Sequence, residues 1–234
     1  MTVGLIDDKA RIFFEVPEGE LRFGDGDLDR WAEHLAWCYR LLDLDECKTI
    51  AVQDFGTSPL AYLGSALLMP TLEAGIAERL DAKVICLDAS PERVVLTPEV
   101  IRQVEPDLLI VRDEIFGLLL DGAKRAGVDL AALDGLKILV AIGAKPMPMP
   151  SGKWRRLLHV ESTLLLAPEC ASCGHFHLRD GFYALTDGTI VNLLLDSAQP
   201  CVLPRISVAE DRVCELGPND LLFTLANPGE TVPS

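Results

Sequence analysis

Between Leu28 and Ile142 the chain switches repeatedly between a helical and a strand-like spacing of apolar residues. Leu28, Trp31, Leu35, Cys38 and Leu42 fall on one helical face, with Asp27 placed to cap it. Lys48 to Gln53 reads as a short buried strand. Residues 56–80 read as a long helical stretch interrupted at Pro70, followed by a strand from Ala82 to Leu87. Thr97-Pro98-Glu99 opens a helix, with Thr97 as cap and proline at the first helical position. A strand from Leu108 to Val111, a helix from Ile115 to Ala126 ending at Gly127, and a strand from Leu136 to Ile142 complete the run. Helices between strands imply parallel pairing, because a parallel neighbour is reached only by a crossover. The expected fold class is α/β, a doubly wound and mostly parallel sheet.

The texture changes after Gly143. Pro146, Pro148 and Pro150 stand at alternate positions, and no helix survives that. Beyond them come β-type segments: Ser162 to Leu166, His175 to Leu178, Phe182 to Leu185, Thr189 to Leu195 and Asp220 to Leu225. Asp180-Gly181 and Asp187-Gly188 read as hairpin turns. The expected organisation is an α/β sheet over residues 1–143, a β-rich part over 144–226 belonging to the same compact unit, and a frayed tail over 227–234.

Within the β-rich part, Cys170-Ala-Ser-Cys173-Gly-His175-Phe-His177 packs four metal-ligand side chains into eight residues. Zinc favours thiolate and imidazole, and a Cys-x2-Cys turn presents two sulfurs to one ion. On a strand, His175 and His177 project to the same face. Cys170, Cys173, His175 and His177 are therefore the candidate metal ligands, with Cys201 or Cys214 as alternative completions. A closed four-ligand shell points to a structural ion; one histidine outside it would leave an open position for hydrolytic or acyl-transfer chemistry. The plainer reading is a hairpin with two ordinary cysteines.

Charge narrows the partners. A formal net charge of −15 argues against a nucleic-acid backbone or an anionic membrane surface. The N-terminus shows no secretory pattern and no apolar run is long enough to span a bilayer, so a cytoplasmic location with reduced thiols is expected. Cys38 and Cys86 sit in apolar runs and read as buried. Trp31 and Trp37, six apart on one helix, point to different faces, which leaves either an exposed interface tryptophan or core packing.

In this order of elements the chain resembles the phenylacetate–coenzyme A ligase family of adenylate-forming enzymes, over roughly Leu44 to Thr224. Asp54-Phe55-Gly56 and the stretch after it resemble that family's Gly-rich helix. Ala82 to Ile85 and Thr97 to Val111 resemble the units that follow. Gly143-Ala144-Lys145-Pro146 resembles its Gly-Glu-Pro turn, Glu169-Cys170 with His177 its Glu-Cys…His spacing, and Asn219 to Thr224 its Leu-Val-Phe-Thr strand. The resemblance implies part of the family's large domain. It also implies an acyl or aryl-acid pocket bordered by His159 and Glu161, which become the candidate catalytic residues. Lys153, Arg155 and Arg156 form a basic cluster that can hold a phosphate of coenzyme A or an acidic partner; a solvated loop is the plainer account.

The departures shape the functional expectation. No Ser/Thr/Gly-rich phosphate loop is recognisable, Gly24-Asp25-Gly26-Asp27 is acidic, Lys145 replaces the acidic residue of the turn, and only Glu161 of His159-Val160-Glu161-Ser162-Thr163 can stand for the Tyr-Gly-x-Thr-Glu carboxylate. The family's C-terminal domain, with its catalytic lysine, has no counterpart in the sequence. The expectation is an accessory, non-catalytic relative of acyl or aryl ligases with a structural zinc, not binding ATP alone and acting in a larger complex. The alternative is half of a split ligase completed by a partner chain. Leu118 to Leu120, Leu164 to Leu166 and Leu193 to Leu195 place side chains on both faces of their elements, so burial against a protein partner or a second copy is expected.

Overall fold

The structure, a computed structural model, describes residues 12–16, 19–24, 26–55, 58–61, 76–144, 154–203, 206–209 and 212–225. It opens with an antiparallel hairpin of β1 (Ile12–Val16) and β2 (Gly19–Phe23), followed by α1 (Asp27–Leu41). Gly26, at φ 79°, takes the cap position expected of Asp27. Asp27 sits in the first turn instead, where its carboxylate accepts the Gly24 N–H at 2.7 Å and meets the positive end of the helix dipole.

Six strands form the central sheet in the order β4-β3-β5-β6-β7-β8. They are β3 (Thr49–Gln53), β4 (Lys83–Leu87), β5 (Leu108–Arg112), β6 (Lys137–Ile142), β7 (Trp154–Val160) and β8 (Leu165–Pro168). All neighbours pair in parallel except β8, which runs antiparallel to β7. Helix α2 (Ile76–Leu80) leads into β4, α3 (Pro91–Val94) and α4 (Thr97–Val104) into β5, and α5 (Asp113–Ala126) into β6. The step from β3 to β4 and the step from β4 to β5 run in opposite directions across the sheet. Right-handed crossovers then put α2 on one face and α3 to α5 on the other. Gly122 of α5 meets the backbone of Val95, where an added Cβ would lie 2.5 Å from the carbonyl oxygen. That close approach clamps α5 to the turn before α4.

β3, β5 and β6 read as near-continuous apolar runs because both their faces are covered: Ile50, Leu109, Val111, Leu139 and Val140 are all buried. β4 at the edge is only half-buried, and its Cys86 is exposed rather than buried, because the outer side of an edge strand has no neighbouring strand. Cys38 is buried as expected. β7 carries the sheet past residue 143, so strands from both expected parts share one sheet. Thr97 is the first helical residue of α4 rather than its cap, and its hydroxyl donates to the Arg93 carbonyl. Most of the helical stretch expected over 56–80, the Lys145-Pro146 pair and the tail lie outside the described residues.

The C-terminal part builds two small antiparallel sheets. One has the order β13-β14-β9, from β9 (Phe176–Leu178), β13 (Ile206–Val208) and β14 (Leu221–Leu225). The other joins β10 (Tyr183–Thr186), β11 (Thr189–Asn192) and β12 (Cys201–Val202). Asp187-Gly188, at φ 49° and 74°, turns β10 into β11 as expected. Asp180-Gly181 is not a hairpin turn, since it passes the chain from β9 to β10 in a different sheet.

Both α1 tryptophans are buried, Trp31 at 1 % and Trp37 at 8 % exposure, so neither offers an interface. The second face of α1 is covered by residues 179–183. His34 stacks between Trp37 (5.2 Å) and Phe182 (4.6 Å), and Arg179 lies over both rings. Leu164 to Leu166 are wholly internal, whereas Leu118 and Leu193 reach the surface. Among the described residues no helix is long and apolar enough to cross a membrane.

Candidate metal centre and carboxyl-end crevice

The Cys170–Gly174 turn leaves the sheet just after β8. The Cys170 N–H donates to the His175 carbonyl at 2.8 Å, and the Gly174 N–H returns to the Cys170 carbonyl at 2.9 Å. Gly174 takes φ 71°, a conformation that a side chain disfavours. This geometry turns Cys170 and Cys173 toward β9, whose His177 is fully buried. From the far side the turn at 214–217 brings Cys214 in. One ligand atom each from Cys170, Cys173, His177 and Cys214 lies within 4.8 Å of all the others.

The spacing fits a tetrahedral ion. Zinc–sulfur bonds of ~2.3 Å place two sulfurs ~3.8 Å apart. Here Cys170 Sγ and Cys214 Sγ are 3.8 Å apart, and Cys173 Sγ and His177 Nε2 are 3.3 Å apart. No disulfide competes, since all seven cysteines are free. Burial, with help from the neighbouring thiols, pushes the Cys173 thiol up to about 11. A divalent ion in this site would supply the positive charge that favours thiolate ligands. His177 Nδ1 bonds Asp220 Oδ2 at 3.0 Å, which leaves Nε2 for the ion, and Asp220 Oδ1 accepts the Asp180 N–H at 3.1 Å. Gly217 packs so tightly here that a Cβ would meet the Asp220 carboxylate and come within 2.9 Å of His177 Nδ1.

His175, expected beside His177, is absent from this group. It precedes β9, and its Nδ1 turns back to the Cys173 carbonyl at 2.8 Å. Of the two alternative completions, Cys214 joins the cluster and Cys201 pairs instead with β11. Asp220 went unnoticed in the sequence. Only the β9–β14 register, with Leu222 opposite His177, brings it into reach.

A second polar cluster lies at the carboxyl ends of β3, β5 and β7. Asp54 is buried, takes hydrogen bonds from Ser58 Oγ at 2.6 Å and the Phe55 N–H at 2.7 Å, and faces Arg112 Nη1 at 3.6 Å. Burial pushes its carboxyl up, although Ser58 and Arg112 pull the other way. Arg112 also pairs with Glu161 and Glu114. His159 lies inside β7, where burial first and Arg112 second hold its imidazole down to about 3. Neither of its ring nitrogens completes a hydrogen bond of good geometry, although the Leu165 backbone favours the protonated ring. Beside this cluster a cleft of about 280 Å³ is lined by Val52, Asp54, Phe55, Ala61, Leu87 and Asp88, among others.

The expected basic cluster is not a loop. Arg155 and Arg156 lie on β7; Arg156 pairs with Glu169 and lies over the Phe176 ring, while Arg155 meets Asp43 at 3.5 Å. Lys153 lies outside the described residues.

A similar fold occurs in a ligase of known structure. The chain superposes on the open conformation of 2-hydroxyisobutyryl-CoA ligase in complex with 2-HIB-AMP and CoA with a TM-score of 0.63 and 13 % identity, covering 83 % of this chain and 47 % of that one. The postadenylation state of the same ligase gives a TM-score of 0.62 and 14 % identity, at 83 % and 46 % coverage. The fold is that of the large domain of adenylate-forming ligases. At this identity the likeness concerns fold alone, and the chain spans about half the length of the ligases it matches. No protein-family profile matches the chain, and no curated protein matches it.

Proposed function

We propose that the chain is an accessory, non-catalytic relative of acyl- and aryl-coenzyme A ligases, of the phenylacetate–coenzyme A ligase type. In this reading it acts in a reducing cytoplasmic setting as part of a larger protein complex. A structural zinc, held by Cys170, Cys173, His177 and Cys214, stabilises it. The observation that carries the reading is where the two clusters lie along the sheet. Ligands of open α/β sheets bind at the carboxyl ends of the strands. The Cys3His cluster lies at the other end, beside the C-terminus of α1, where the Ala171 N–H donates to the Leu41 carbonyl at 2.9 Å. Four protein ligands close the shell, so the ion's chemistry is to cross-link, and hydrolytic or acyl-transfer roles are disfavoured.

The carboxyl-end crevice supports the non-catalytic half of the reading. Arg112, the arginine found there among the described residues, is engaged by Asp54, Glu114 and Glu161. The acidic balance there opposes a triphosphate. The adjoining apolar cleft favours an acyl or aryl acid, or part of coenzyme A, over ATP. It is also what favours the second reading, half of a split ligase.

Metal analysis of protein purified without chelator tests the zinc, with about one ion per chain expected. Calorimetric titration with ATP, coenzyme A and aryl acids, before and after adding chains that co-purify from the native host, separates the two readings. ATP binding by the chain alone, or pyrophosphate exchange gained with a partner, would replace the accessory reading with the split ligase. Recovery of neither partner nor dimer in native purification would remove the complex.

A further inference from the structure

We propose that Cys173 is an oxidation site through which peroxide dismantles the metal centre and loosens α1 from the β-rich part. The inference rests on the metal reading above. Three of the four ligands are sealed: Cys170 is 1 %, His177 0 % and Cys214 4 % exposed, while Cys173 is partly open to solvent. A small oxidant therefore reaches one sulfur and not the others. Both remaining sulfurs lie within 4.8 Å of it, which places a resolving thiol beside any oxidised Cys173 without a large movement of the chain.

The chemistry balances with a peroxide as the only co-reactant. The Cys173 thiolate attacks one peroxide oxygen; an S–O bond forms, the O–O bond breaks, and the departing hydroxide takes a proton to leave as water. The sulfur of Cys170 or Cys214 then attacks the sulfenic sulfur. An S–S bond forms, the S–O bond breaks, and the departing hydroxide takes a proton from solvent to leave as a second water. Two thiolates are oxidised to one disulfide, and one peroxide with two solvent protons is reduced to two waters. The ion loses two of four ligands and departs. A thiol reductant with added zinc reverses the change.

The consequence spreads because the turn that carries Cys173 is also tied to α1. Its Ala171 N–H caps the Leu41 carbonyl, and the Trp37 ring lies 6.5 Å from the His177 ring. Release of the ion frees His177, and Trp37 becomes the optical reporter of that release.

The test uses the full chain with its metal content measured first. Hydrogen peroxide is added, zinc release is followed with a chromogenic chelator, and tryptophan emission is recorded alongside. Disulfides are mapped by mass spectrometry. The expected result is stoichiometric zinc release, a matching emission change, and a disulfide joining Cys173 to Cys170 or Cys214. Cys86→Ser removes the other exposed thiol and is expected to leave release unchanged. Zinc-loaded protein that keeps its ion while Cys86 oxidises overturns the inference and leaves the metal reading standing. A disulfide between Cys170 and Cys214 alone overturns Cys173 as the entry point. Protein that never contains metal overturns the metal reading itself.

Discussion

Two polar clusters among the described residues solve the same electrostatic problem in opposite ways. At the carboxyl ends of the parallel strands, the carboxylates of Asp54 and Glu161 meet the guanidinium of Arg112, and Asp54 is further held by Ser58 and a backbone N–H. At the other end, three thiols and an imidazole converge with no protein cation among them. The first cluster is complete from its own side chains. In the proposed zinc reading, the second is completed by an ion. A buried group that lacks an internal counter-charge marks where a ligand belongs more clearly than a large pocket does.

The largest test of that contrast is metal removal. Chelation, or Cys214→Ser, is expected to destabilise the fold by on the order of 5 kcal/mol, read as a fall in the urea or thermal midpoint that zinc restores only in the parent chain. An unchanged midpoint with chelator would place both clusters in the self-sufficient class.

Acid comes next, because each cluster has a neutral histidine nearby. His159 lies beside Arg112, and His34 stacks on Trp37 next to the Cys3His cluster; burial holds both down to about 3, from an ordinary 6.5. The folded state keeps these rings neutral while the unfolded chain protonates them. Their contribution is therefore full above pH 6.5 and is lost as pH falls from there toward 3, at ~1.4 kcal/mol per pH unit for each. Asp54, pushed up by burial, acts in the opposite sense where its carboxyl titrates. Between pH 7.5 and pH 5, His159→Leu is expected to flatten the loss by ~2 kcal/mol, measured by urea unfolding at both values. An equal slope in parent and variant would show that His159 is protonated in the folded state.

Gly217→Ala probes the support behind the ligands. The new methyl group has no room against Asp220 and His177, so a loss of about 1–3 kcal/mol and a 10–100-fold weaker metal affinity are expected. A competition titration with a chromogenic chelator reads the affinity. The smallest effect belongs to the crevice. Arg112→Met leaves two carboxylates facing each other at a partly solvated site, for about 1–2 kcal/mol. Adding Glu161→Gln is expected to recover part of it; a double variant no better than the single would mean that Arg112 acts through packing and not charge.

Local patterns carried much of this fold. The helix from Leu28, the strands at Thr49, Lys83, Leu108 and Lys137, and the Gly127 stop all followed from period and punctuation. What escaped was set by contacts distant in sequence. Lys153, Arg155 and Arg156 read as a basic cluster because the partners of the two arginines, Asp43 and Glu169, are supplied only by the folded sheet. The β1–β2 hairpin was visible in the inward alternation of Leu21 and Phe23 but was not recognised. At the candidate site, the Cys-x2-Cys turn and His177 were legible as a local motif. Cys214 and Asp220, more than forty residues along, depend on the pairing of β9 with β14. His175 was placed by strand alternation that begins one residue too late to include it.

The single antiparallel strand of the central sheet sets one more property. After the turn at Glu161–Thr163, β8 runs back along β7 and delivers Cys170 near the level of Arg156, whose carbonyl accepts the Glu169 N–H. Five or six residues of strand, ~20 Å, then separate the sulfur ligands from the crevice. That length makes the metal end a fixed observation post. A paramagnetic ion such as cobalt(II), seated among the three sulfurs and His177, stands too far away to touch a molecule in the crevice yet near enough to perturb its nuclear resonances. Occupancy and orientation there become measurable as a bearing and a range from a beacon that the sheet itself holds in place.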